Sequence, residues 1–178
     1  LLFDVPVSGI IDAVSSYRPS NNRSQVTETG RNTVIRDAYN ANPSSMEKAI
    51  SSFAALVTEK KMVILGDMLE LGDESGPGHT AVIRQLMGLP GIKVVLVGPL
   101  FREAAEKLRE MYIPGSDSEG EFQAGRLPVS VAAGDFQAVF FPTSEAAAEW
   151  LKTEKPEGYT ILVKGSRGIQ LEKVFPSL

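Results

Sequence analysis

Three short stretches of this chain are almost wholly apolar: Lys61–Leu65, Ile92–Val97 and Thr160–Val163. Each is the length of a strand and shows no polar face, which suits the interior of a parallel sheet covered by helices on both sides. Between them the period changes. Thr33–Arg36 is a β-branched run that suits a further strand, and the small and amide-bearing residues Asp37-Ala38-Tyr39-Asn40-Ala41-Asn42 break it into a turn. Pro43 fits the first position of a helix with Asn42 as its N-cap, and Met46, Ala49, Ile50, Phe53, Ala54 and Val57 then recur at helical spacing. Further helices are expected from about His79 to Leu86, from Phe101 to near Tyr112, and from Ser144, read as an N-cap, to Leu151. Val129–Ala132 and Ala138–Phe141 are strand candidates, and Gln25–Glu28 pairs with Thr33–Arg36 as a hairpin around Gly30-Arg31-Asn32. Strand and helix in alternation predict an α/β fold with a mostly parallel sheet and right-handed crossovers.

Leu1–Arg18 begins apolar and then carries Ile10, Ile11, Val14 and Tyr17 in an amphipathic pattern, as the last helix of an upstream domain would. The polar stretch Pro19–Ser24 reads as a linker, giving residues 1–22 to that domain and its hinge, and 23–178 to the domain proper. Pro114–Gly125 has little to bury and reads as a mobile surface insertion.

Composition narrows the chemistry. The 178 residues include no cysteine and one histidine, which excludes disulfides, thiolate catalysis and multi-histidine metal sites. A net charge of −4 without a Lys/Arg cluster argues against nucleic acid, and no apolar run approaches the length of a transmembrane helix. With no signal peptide either, the reading is a soluble cytoplasmic protein.

Two constellations remain. Lys164-Gly165-Ser166-Arg167-Gly168 follows a buried strand and precedes an expected short helix, Ile169–Phe175. Glycine-freed backbone N–H groups and the Lys164, Ser166 and Arg167 donors suit an anion; the alternative is a basic turn whose glycines serve only geometry. Asp37, at a strand end, either accepts hydrogen bonds from a ribose or closes its own turn. Asp67 and Glu70 in Gly66-Asp67-Met68-Leu69-Glu70-Leu71-Gly72 face a metal or substrate, or are simply solvated. His79 has no partner nucleophile and so carries no mechanism. No Gly-x-x-x-x-Gly-Lys-Ser/Thr loop occurs in the chain.

Asp37 to Met46, Leu65 to Gly72, His79 and Val163 to Arg167, in that order, resemble the C-terminal domain of the Mur ligases. The likeness is nearest to members that add D-alanyl-D-alanine to UDP-N-acetylmuramoyl-tripeptide. It implies a Rossmann-like three-layer domain that closes over the substrates of an ATP-dependent amide ligase acting in peptidoglycan synthesis. It also implies upstream domains of the same chain, which hold the sugar nucleotide, the phosphate loop, the magnesium ligands and the carbamylated lysine. The phosphate loop, the Mg2+ ligands and that lysine are absent from these residues. This chain would thus hold no catalytic residue and no metal ligand, and would be inactive alone.

By the same resemblance Arg23 is the hinge arginine that reaches ATP phosphate, Asp37 contacts the ribose, and Tyr39 and Asn40 lie beside the nucleotide. Lys164, Gly165, Ser166 and Arg167 lie where the incoming dipeptide binds, with Asn42, Asp67, Glu70 and His79 as further candidates. Two other readings stay open. One is a sibling such as another Mur enzyme or a folylpolyglutamate synthase, whose loop would carry histidine in an Asp-x-Ala-His arrangement, unlike Tyr39-Asn40-Ala41-Asn42. The other is a non-catalytic α/β binding module.

Overall fold

The computed structural model describes residues 5–17, 23–112, 127–131 and 134–178. Helix α1 (Val7–Ser16) comes first and buries none of its residues. Strands β1 (Gln25–Glu28) and β2 (Thr33–Asp37) form the expected antiparallel hairpin, with Gln25 opposite Arg36 and Glu28 opposite Thr33. The order continues as α2 (Pro43–Ala54), β3 (Lys60–Gly66), α3 (Ser75–Met87), β4 (Ile92–Val97), α4 (Pro99–Tyr112), β5 (Leu127–Val131), β6 (Gly134–Phe141), α5 (Ser144–Glu154) and β7 (Tyr159–Lys164). Two 3₁₀ segments, Arg167–Ile169 and Leu171–Ser177, follow. The Pro114–Gly125 insertion lies outside the described residues, as does most of the Pro19–Ser24 linker.

All seven strands join one sheet in the order β1-β2-β7-β3-β4-β6-β5. Its five central strands are parallel, and the outer hairpin partners β1 and β5 run antiparallel. The pleat sends alternate residues of each apolar run to opposite faces. Val63, Leu65, Val94, Leu96 and Leu162 meet Met46, Ile50 and Phe53 of α2, Ile83 of α3 and Phe101 of α4. Met62, Ile64, Val95, Val97, Ile161 and Val163 meet Ala147 and Leu151 of α5 and Leu171 and Val174 of the C-terminal 3₁₀ segment. Unbroken hydrophobicity in these strands is therefore the mark of a three-layer domain with two cores.

Several boundaries differ from the sequence reading. Helix α2 ends at Ala54, so Val57 falls past its apolar stripe and is fully exposed. Helix α3 starts at Ser75, and Gly76-Pro77-Gly78 occupy its first turn, where a missing proline N–H costs no intrahelical bond. The N-cap of α5 is Thr143, whose Oγ1 accepts from Ala146 N at 3.3 Å, and Ser144 is instead the buried first helical residue. Ile169–Phe175 does not form an α-helix, because Gln170 takes a left-handed φ of 57° and divides the segment.

The start of α2 follows the expected chemistry. Asn42 Oδ1 accepts from Ser45 N at 2.9 Å while Ser45 Oγ accepts from Asn42 N at 3.1 Å, a reciprocal capping box. Asn42→Ala should cost about 1 kcal/mol in urea or thermal unfolding. An unchanged midpoint would show that Pro43 alone fixes the helix start.

Candidate functional site

The parallel strands β2, β7 and β3 end side by side, and the strand order makes a crevice there. Helix α2, which follows β2, and α3, which follows β3, pack on one face, whereas the segment after β7 packs on the other. Chain leaving neighbouring strand ends in opposite directions opens a gap, the usual ligand position in such sheets. A cleft of about 260 Å³ lies at that point, lined by Tyr39, Asn40, Leu69, Glu70, Ser166, Arg167 and Gly168. The loops after β2, β3 and β7 all contribute to it.

Beneath it lies a buried ion pair. Asp37 and Lys164 are partners in the parallel β2–β7 register. Their side chains meet with Lys164 Nζ 2.7 Å from Asp37 Oδ2, and the same ammonium donates to Asn40 O at 3.1 Å. Lys164 was expected at the dipeptide and Asp37 at the ribose, yet each neutralises the other. The Lys164 side chain is only 3% exposed, against 22% for Asp37, so Lys164 is not free to meet a ligand directly. Asp37 Oδ1 also accepts from Ser24 N at 3.3 Å, and a carboxylate retains further lone pairs for a hydroxyl donor.

Above the pair, the exposed ring of Tyr39 receives two guanidinium groups. Arg23 Cζ sits 3.8 Å from the ring centroid and Arg167 Cζ 5.8 Å. Residues 144 positions apart are thus gathered at one aromatic face, a convergence that local pattern does not reveal. Asn40 Oδ1 accepts from Ala41 N at 2.8 Å and shapes the same loop.

The Lys164–Gly168 loop owes its glycine to packing rather than to freed N–H groups. A Cβ on Gly165 would come within 2.9 Å of Gly66 Cα and 2.8 Å of Leu171 Cδ1, so only glycine lets β7 and β3 end so close together. Ser166 then ties the loops together: its N–H donates to Asp67 O at 3.1 Å, and its Oγ accepts from Leu69 N at 2.8 Å. Ser166 is 5% exposed, and its hydroxyl proton has no acceptor among the described residues. Because a 3₁₀ segment of three residues follows, the expected helix dipole does not reach this loop.

Asp67, His79 and Asn42 belong to the scaffold. Asp67 is completely buried, and its two carboxylate oxygens accept from Leu100 N and Phe101 N at 2.9 Å each, capping the start of α4 from a distant strand end. Burial raises its carboxyl above the usual range, against the opposing pull of those two amides. Since the folded value lies above the unfolded one, the contribution of Asp67 to stability is fullest below the unfolded value and declines as pH rises through the folded one. His79, likewise buried, donates from Nδ1 to Ser75 O at 2.6 Å and accepts at Nε2 from Met68 N at 3.0 Å. Those bonds define a neutral tautomer, so the 3.7 Å approach of Nε2 to Asp67 is not an ion pair. Asn42 is occupied by its cap. Of the further candidates only Glu70 faces the cleft. Among the described residues no three His, Asp or Glu side chains are grouped to hold a metal ion, and no helix is long and apolar enough to cross a membrane.

A mostly parallel α/β domain with a three-loop cleft at its strand-order switch is the class that fold and site define. The family described as "Mur ligase, glutamate ligase domain" matches residues 22–167, and the chain belongs to the Mur ligase family. Within it, the UDP-N-acetylmuramoyl-tripeptide–D-alanyl-D-alanine ligase of Treponema pallidum is 29% identical over 98% of this chain and 33% of that protein. The ligase of the same name from Mycobacterium tuberculosis is 35% identical over 52% of this chain and 19% of its own length. A crystal structure of MurF from Acinetobacter baumannii superposes with a TM-score of 0.71 at 25% identity, covering 99% of this chain and 34% of that one. This chain therefore spans about a third or less of these relatives.

Proposed function

We propose that this chain is the C-terminal, substrate-closing domain of an ATP-dependent ligase that joins D-alanyl-D-alanine to UDP-N-acetylmuramoyl-tripeptide during peptidoglycan precursor synthesis in the cytoplasm. The observation that carries this reading is the cleft itself, where the Tyr39–Asn40 loop and the Ser166–Gly168 loop face one another. The first is the nucleotide side of the proposed site and the second the amine side. Residues 1–22 are assigned to the end of the upstream ATPase domain, in keeping with the exposed Val7, Ile11 and Val14 of α1.

The residues fit ATP at the mouth of the cleft. Arg23, stacked on Tyr39 and without a carboxylate partner among the described residues, is the positive group for a phosphate, and the remaining lone pairs of Asp37 suit a ribose hydroxyl. ATP supplies the activation of the tripeptide carboxylate as an acyl phosphate, and Mg2+ belongs to the upstream domains. This domain's own residues bind and aim. Ser166 Oγ–H and the Arg167 guanidinium hold the dipeptide carboxylate, fixing the far end so that the amine reaches the activated carbonyl. Closure of the domain about residues 19–24 brings these groups to the nucleotide and excludes water.

In a full-length Mur ligase carrying this domain, Ser166→Ala with Arg167→Ala should raise KM for D-Ala-D-Ala at least about tenfold while changing KM for ATP far less, since charge-assisted hydrogen bonds to the dipeptide are lost. Comparison with the C-terminal amide of the dipeptide decides the assignment. Wild type should favour the free carboxylate, and the double variant should hardly distinguish the two. An undiminished preference would place the carboxylate anchor elsewhere.

A further inference from the structure

We infer that the cleft is built for a zwitterion, and that Glu70 receives the ammonium end of the incoming dipeptide, accepts one of its protons as the neutral amine moves to attack, and so selects a free amine. This rests on the proposed ligase reading and adds a specificity-determining residue to it. The charged side chains lining the cleft are Arg167 and Glu70, one of each sign. They form no ion pair with one another or with any other described residue, and the Glu70 carboxylate has no hydrogen-bond partner among them. A cleft with unpaired opposite charges is complementary to a ligand carrying both. An extended dipeptide separates its two ends by about 7 Å.

The backbone sets the position of Glu70. Glu70 has φ of 68°, the left-handed region that disfavours side chains, whereas Gly72 two residues later meets a similar demand at φ 53° with glycine. This left-handed position, shared in kind by Ser24, Lys155 and Gln170, sets Glu70 at the rim of the cleft. Leu69, its neighbour, donates its N–H to Ser166 Oγ, so the loops that carry Glu70 and Arg167 are hydrogen-bonded to each other.

The test uses the full-length ligase, measuring KM for D-Ala-D-Ala and inhibition by its N-acetyl derivative, which keeps the carboxylate and lacks the ammonium. Wild type should bind the free dipeptide well and the acetylated one poorly. Glu70→Gln should weaken the free dipeptide about 10- to 100-fold, leave the acetylated one nearly unchanged and leave KM for ATP unmoved. Glu70→Gly should lose the same discrimination while raising the melting temperature, because the left-handed strain is relieved. If Glu70→Gln keeps the full preference for a free amine, Glu70 is not the ammonium contact and the inference falls. That result together with an effect of Ser166→Ala and Arg167→Ala would leave the ligase reading standing. No effect of either set on the dipeptide would overturn both.

Discussion

Gly98→Ala should unfold this domain at a temperature lower by 10 °C or more, or prevent its folding, although the change adds one methyl group. Gly98 has φ of 118°, and a Cβ there would lie 2.2 Å from Asp67 Oδ2. The backbone term alone is about 1–3 kcal/mol for a side chain in so unfavourable a region. Asp67 cannot retreat cheaply, because both of its oxygens hold the N–H groups that open α4, and the His79 ring stands 3.7 Å away. Moving the carboxylate leaves two donors without partners, one of them buried, at about 1–3 kcal/mol each. The combined loss is comparable with the whole stability of an ordinary domain, about 5–15 kcal/mol. Asp67→Ala is expected to be severe by itself, since it removes the cap, but adding Gly98→Ala to it should cost only the backbone term. A melting temperature for Gly98→Ala within about 2 °C of wild type would show that β4 and α4 can shift to make room.

The interplay of these two residues also shows where sequence reading stops. Gly66-Asp67 after an apolar run and Gly98-Pro99 after another are each legible as strand ends. That the first supplies the helix cap of the second follows only once β3 and β4 are neighbours in register, with Gly66 opposite Val97. What periodicity carries is local and therefore readable: the buried character of Met62–Leu65 and Val94–Val97, the Gln25–Asp37 hairpin, and the Asn42–Pro43 helix start. The site is non-local. Its floor depends on β7, the last strand in sequence, lying between β2 and β3, and no residue near position 160 announces that insertion. Resemblance pointed to the Tyr39–Asn40 and Ser166–Arg167 loops, and both line the cleft. It could not tell which side chains within them face the cleft. Asp67, His79 and Lys164 are polar residues in the right motifs, and all three are buried. Leu69, which lines the cleft, has no polar signal to find.

Lys164 carries the second large expectation. Read as a loop residue beside an anion site, Lys164→Met would weaken the dipeptide and spare ATP. The geometry gives a different result: in the proposed full-length ligase Lys164→Met should raise KM for ATP as well as for D-Ala-D-Ala, and should destabilise the domain. The ammonium bridges Asp37, on the proposed nucleotide side, and Asn40 O, in the loop that carries Tyr39, while its own backbone leads into Gly165 and Ser166. Its removal frees one loop and mispositions the other. Breaking a buried pair by removing one partner costs about 3–5 kcal/mol, and the lower end applies here because Asp37 is 22% exposed and water can partly replace the ammonium. Asp37→Asn made together with Lys164→Met takes away the stranded charge, so the double variant should be more stable than Lys164→Met alone, though no better at binding ATP. That split between recovered stability and unrecovered KM separates a positioning role from a purely structural one. Should Lys164→Met leave KM for ATP at the wild-type value while the dipeptide alone is lost, the ammonium must leave Asp37 in the closed enzyme and meet the ligand itself.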